Sequence, residues 1–152
     1  GDAISMEVRN VKDCFRLRIL RKIKPDKEKA KKSLEIAEKS LGEAERAVTY
    51  KIYEFVILKS YMAMFHASRA LLYKDGIQEK SHYAIYVYLK ETHSKEIPIN
   101  VLNLLNIHRT ERHEALYGLE YNPNKEDAIT ALEDSRIFLD HIKRLLITGF
   151  EF

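Results

Sequence analysis

The segment from Tyr53 to Lys74 constrains this chain most. Its run "YEFVILKSYMAMFHASRALLY" is apolar nearly all the way round a helix. A helix without a polar face is buried on most sides and needs other elements to cover it. The remaining sequence supplies such elements. Ala30, Leu34, Ala37, Leu41, Ala44 and Val48 alternate spacings of three and four, which predicts an amphipathic helix of about 20 residues. Ala128, Leu132, Ser135, Leu139, Ile142 and Leu146 form a second seam near the end, with Asn124 as its cap. Between them, "HYAIYVYLKETH" reads as a short helix capped by Ser81. A further helix runs from about Pro98 to Tyr117 and stops near Gly118. The alternation in "HYAIYVYLKETH" also fits a strand, but its neighbours favour helix. With only five glycines and three prolines, strands would have few turns to punctuate them. Short connections imply antiparallel neighbours, so the expected fold is all-α, an up-and-down antiparallel bundle of four to five helices.

Val8, Val11, Phe15 and Ile19 recur at helical spacing and predict a basic first helix, stopped by Pro25, with Asp26 capping the next helix. The expected organisation is therefore residues 1–25 as a basic N-terminal extension and 26–152 as the bundle. The net charge of +3 hides an asymmetry: residues 1–32 hold eleven Lys/Arg against five Asp/Glu. That end could meet RNA or an acidic partner, or it could be a solvated helix and linker. Only Phe15 offers an aromatic ring there for base stacking. No apolar run approaches the roughly 20 residues of a membrane span, and no signal-peptide pattern opens the chain. A lone cysteine, Cys14, cannot form an internal disulfide and suits a reducing compartment, so a cytoplasmic protein is expected.

The stretch "NIHRTERHEALYG", Asn106 to Gly118, carries the candidate chemistry. At about 100° per residue, with Val101 at zero, Leu105 falls near 40°, Leu116 near 60° and Arg112 near 20°. A guanidinium is thus expected where the stripe calls for Leu. A buried Arg needs a carboxylate, a ligand anion, a second copy of itself across a wet interface, or an edge to snorkel from. His108 and His113 are five apart, and there is no H-E-x-x-H, cysteine cluster or glycine-rich phosphate loop. No metal and no cofactor is expected. Arg with His suits RNA cleavage by the 2′-hydroxyl: Arg would stabilise the phosphorane charge and His would move a proton.

"SYMAMFHASRALLYKDGIQEKSHYAIYVYL" (Ser60 to Leu89) resembles the signature of HEPN domains: an aromatic-rich helix around Tyr61, Ala63, Met64, Phe65, His66, Arg69, Leu71 and Leu72, then Gly76, then Lys80 and His82. "RTERHEALYGLE" resembles the Arg-bearing helix of that family, and "KIKPDKEKAKKSLEIAEKSL" its lead-in helix. The resemblance implies a four- or five-helix bundle, usually a homodimer, often paired with a small nucleotidyltransferase. Many members are RNase toxins that the partner neutralises by binding or by adenylating a tyrosine; others act as nucleotide- or substrate-binding subunits. Catalytic members carry Arg, four to six residues, then His across a dimer cleft. This chain departs from that: three residues separate Arg109 from His113, none separates Arg112 from His113, and His108 precedes both arginines. The candidate catalytic residues are Arg109, Arg112 and His113. The candidate binding residues are Arg69, Lys80, His82, His108 and Tyr117. Five of them also have a structural reading: an ion pair for Arg69 and Arg112, a cap and a packed ring for Lys80 and His82, helix-end packing for Tyr117.

Overall fold

The structure, a computed structural model, describes residues 8–149. The first residues of the 1–25 extension and the last three of the bundle lie outside the described residues. Among the described residues the elements are α1 (Val11–Arg16), β1 (Leu20–Lys22), α2 (Lys27–Thr49), α3 (Tyr53–Asp75), β2 (Ile77–Glu79), α4 (His82–Thr92), α5 (Ile99–Tyr117) and α6 (Lys125–Gly149).

α3 is the central helix. Tyr61, Met64, Leu71 and Leu72 are fully buried, and Phe65 nearly so. α2 runs antiparallel to it. Lys59 pairs with Glu43 at 3.3 Å near the connecting turn, and Lys29 stands 5.8 Å over the Tyr73 ring at the far end. The buried stripe of α2 is Ala30, Ser33, Ala37, Ser40, Ala44 and Ala47; Leu34, Leu41 and Val48 sit at its edges. The seam is therefore turned slightly from the expected one, with its smallest residues against α3, where they let the two backbones approach. α6 runs antiparallel to α2, through Arg136–Glu45 at 3.4 Å and Lys143–Glu38 at 2.8 Å. It runs parallel to α3: Val56 packs with Ala128 and Leu132, and Lys74 Nζ donates to the Leu145 carbonyl at 2.9 Å. All six expected seam residues of α6 are buried. Asn124 and Asp127 cap that helix reciprocally, each side chain accepting from the other's backbone N–H.

The chain before Pro25 departs from expectation. Asn10 caps α1 by accepting from the Asp13 N–H at 2.9 Å, but the helix ends at Arg16, and Arg18 takes a left-handed φ of 58°. Leu20–Lys22 then pairs antiparallel with Ile77–Glu79, Leu20 opposite Glu79 and Lys22 opposite Ile77. A helix of six residues has little stability of its own, and the chain after Gly76 offers backbone partners instead. Val8, Cys14 and Leu20 are buried in the same core as α3. Asp26 caps α2 as expected, accepting from the Lys29 N–H at 2.9 Å. Gly76 makes the ribbon possible: its φ is 76°, and a Cβ there would lie 2.7 Å from the Ile23 carbonyl oxygen. No helix among the described residues is long and apolar enough to cross a membrane.

Candidate functional site

The ribbon delivers Lys80 and Ser81 to the start of α4, and this corner faces the second half of α5. The two border a cavity of about 250 Å³ lined by Lys80, Ser81, His82, Tyr83, Arg109, Arg112 and His113. Five of the eight sequence candidates thus meet at one place. Three cations line it and no carboxylate does.

Arg112 corrects the sequence reading. The wheel aims it at α3, and its guanidinium does stand 5.8 Å over the Tyr61 ring. It is half-buried rather than buried, and among the described residues no carboxylate pairs with it. The reason lies in where α5 leaves the core. Val101, Leu102, Leu105 and His108 are its buried residues; beyond His108 the face opens onto the cavity, and Leu116 is 44% exposed. Extrapolating the stripe to Leu116 placed Arg112 in a core that had already ended. Arg109 is likewise free of carboxylates. Its Nε and Nη2 donate to Asn106 Oδ1 at 3.1 and 3.0 Å, and its guanidinium stacks 5.3 Å over Tyr83.

The structural ion pair, one of the readings open for Arg112, is made by His108 instead, away from the cavity. Its Nδ1 meets Glu111 at 3.0 Å and its Nε2 meets Asp134 of α6 at 2.8 Å. Burial pushes this imidazole towards neutrality, but the hydrogen bonds and charges of the two carboxylates outweigh it and hold the pKa above 6.5. Arg69 also spends its charge inside the protein. Its Nε pairs with Glu79 at 3.0 Å, Nη2 donates to the Tyr73 hydroxyl at 2.8 Å, and Cζ stands 5.5 Å from the centroid of each of the Phe65 and Tyr73 rings. The pair ties β2 to α3. Tyr117 is exposed and packs its ring 4.9 Å from that of His113, which is itself exposed.

His82 is half-buried in the cavity wall. Its ring stacks on Phe65 at 4.2 Å with only 13° between planes, and Nδ1 lies 2.7 Å from the Tyr61 hydroxyl. Burial, reinforced by Arg112, Arg109, Arg69 and His66, pushes its pKa down to about 4. Tyr61, read from sequence as part of the HEPN-like helix and not as a site residue, is thus part of the site's support. It stands 21 residues from His82 on another element, a pairing that depends on the ribbon and left no local signal. A second cavity of about 280 Å³ shares Tyr83 as a wall and adds Arg9, Tyr86 and Lys90.

Comparison with known proteins places the chain in a family. A protein named as a candidate toxin of Methanocaldococcus jannaschii is 30% identical over 124 residues, covering 80% of this chain and 84% of that protein. A second candidate toxin of the same organism is 25% identical over 122 residues, 74% of this chain and 85% of its own length. A UPF0332 protein of Archaeoglobus fulgidus is 30% identical over 109 residues, 70% of this chain and 86% of that one. The HEPN domain family matches residues 30–145, spanning the lead-in helix, the central helix, the cationic corner and α6. The chain belongs to the HEPN family.

Proposed function

We propose that this protein is the RNA-acting member of a toxin–antitoxin-like pair, and that the cavity between the start of α4 and the second half of α5 holds an RNA phosphate. The observation that carries the reading is the unneutralised charge: Lys80, Arg109 and Arg112 line one cavity with no carboxylate among them. Cations held together without counter-charge attract a phosphate, and Arg presents a fork that matches its oxygens. His113, one helical turn from Arg109, is the proton-moving group in a metal-independent cleavage. The names of the Methanocaldococcus relatives support the toxin side of the reading.

The protein acts as a homodimer. Leu116 and Tyr117 are exposed at the end of α5, one turn past Arg112 and His113, with Leu119 just beyond, apolar side chains suited to a second copy. The antitoxin is a small nucleotidyltransferase, and Tyr117, 68% exposed one turn past His113, is open to modification by it. A second reading, a non-catalytic subunit that only binds a nucleotide or RNA phosphate, is favoured by the short Arg109–His113 spacing. One experiment separates them. A uridine-only RNA is incubated with the protein in chelator, and binding and cleavage are followed together for the native chain, Arg112→Ala and His113→Ala. Cleavage abolished in both variants, with binding kept in His113→Ala, supports the toxin. Binding without cleavage by the native chain supports the subunit. Undiminished binding in Arg112→Ala overturns both.

A further inference from the structure

The Tyr61–His82 pair stands apart from the cations around it. Tyr61 is 1% exposed, so its hydroxyl proton needs an acceptor inside the protein. The His82 Nδ1 at 2.7 Å is its hydrogen-bond partner among the described residues. A neutral imidazole carries one N–H. Were it on Nδ1, the imidazole would donate to the phenol oxygen and leave the buried phenol proton without an acceptor. With the proton on Nε2, the hydroxyl donates to Nδ1 and both groups are satisfied. Phe65, stacked at 4.2 Å, holds the plane of the ring, and a half-turn within that plane would set Cδ2 rather than Nδ1 against the Tyr61 hydroxyl and leave its proton without an acceptor. Nε2 has no protein partner among the described residues, and the ring forms part of the cavity wall.

We propose that the Tyr61 hydroxyl locks His82 in the Nε2–H tautomer, so that a neutral, fixed N–H joins Lys80, Arg109 and Arg112 in binding a phosphate oxygen. This rests on the cavity holding a phosphate, as proposed above. It divides the labour between the two histidines. His82 is a hydrogen-bond donor that stays neutral through the physiological range, as its pKa of about 4 supports. Proton movement falls to the exposed His113. Tyr61 touches no ligand; it is a positioning residue acting through His82. A neutral donor at this place has a physical use. A fourth cation packed against Arg112 and Arg109 would repel them in the empty protein, whereas an N–H dipole adds a hydrogen bond without that cost.

The test reads tautomer and affinity separately. Two-bond proton–nitrogen correlation spectra of labelled native protein should place the His82 proton on Nε2. In Tyr61→Phe, which keeps the ring and removes the hydroxyl, the tautomers should mix, and affinity for inorganic phosphate and for a short uridine-only RNA should fall about tenfold. His82→Gln, which can present an amide N–H near the Nε2 position, should bind better than His82→Leu. Failure of the native protein to bind either probe would overturn the cavity reading and this one with it. Binding by a native protein whose His82 proton sits on Nδ1, or binding undiminished in Tyr61→Phe, would overturn this one alone. Should Tyr61→Phe not fold, the native tautomer and the Gln–Leu comparison still decide: equal affinities for the two would overturn it.

Discussion

Removing Arg112 separates charge from architecture. With no carboxylate to strand, Arg112→Ala loses only its stacking on Tyr61, worth about 0.5–1 kcal/mol at a partly exposed site. The melting temperature should shift by no more than about 4 °C, while RNA affinity falls about tenfold or more. A large loss of stability in thermal melts would mean that Arg112 has a buried partner. His108 behaves in the opposite way. His108→Ala leaves Glu111 and Asp134 facing each other across a nearly buried site and should cost about 2–3 kcal/mol, roughly 5–10 °C, near pH 6. The histidines also set the pH profile of stability. His108 is raised above 6.5 in the fold, so its contribution is whole below that pH and is lost as pH rises through the raised value. His66 and His82 are lowered to about 4 by burial first and neighbouring cations second. Their contribution is whole above 6.5 and is lost as pH falls towards 4. Stability should therefore peak between, with His108→Gln flattening the alkaline limb and His66→Gln the acid limb in melts across pH. Limbs unchanged in both variants would count against this assignment.

At the level of elements, what could be read from the sequence follows the length of the signal. α6 is long and periodic, and its buried seam was readable residue by residue; α3 is long and apolar on most sides, and was readable as the central helix. Arg109, Arg112 and His113 were visible as polar residues on a helix, and Lys80 and His82 as polar residues at a helix start. Their meeting was not, because β2 and β1 are three residues each and pair across the whole of α2 and α3. A pairing that distant leaves no periodicity. The same ribbon truncated the expected first helix, since Ile19 and Leu20 fit a helical stripe and a pleated edge equally well. The placement of Arg112 was misjudged for a different reason: periodicity tells which way a side chain points, not where the covering helices stop. Gly76 tests the ribbon directly. Gly76→Ala forces a Cβ against the Ile23 carbonyl oxygen at a positive φ and should cost more than about 2 kcal/mol. Hydrogen exchange should rise first at the Ile23 and Lys80 amides, which close the ribbon's two ends. Protection unchanged there would show that the ribbon does not depend on this glycine.

For the whole molecule, the charge asymmetry gains a geometry. Arg18, Arg21 and Lys22 are exposed on and beside β1; the ribbon sets Ile19, the neighbour of Arg18, against Lys80, with Arg21 and Lys22 two and three rungs further along. RNA affinity should therefore fall steeply with salt, with a log–log slope of about −0.7 per phosphate contacted. The double variant Arg18→Ala, Arg21→Ala should flatten that slope without altering the fold. An unchanged slope would confine the RNA to the cavity. The ribbon also gives the protein a mechanical direction. Its register sets the Ile19 carbonyl against the Lys80 N–H, so the rung nearest α1 is also the rung nearest the cavity. A load pulling on the N-terminus, once α1 has peeled from the core, reaches that rung before any other and opens the ribbon like a zipper from the ligand's end. A grasping protease that tugs on the leading segment would open the corner lining the cavity first, and a ligand seated there should raise the force at which the zipper gives way.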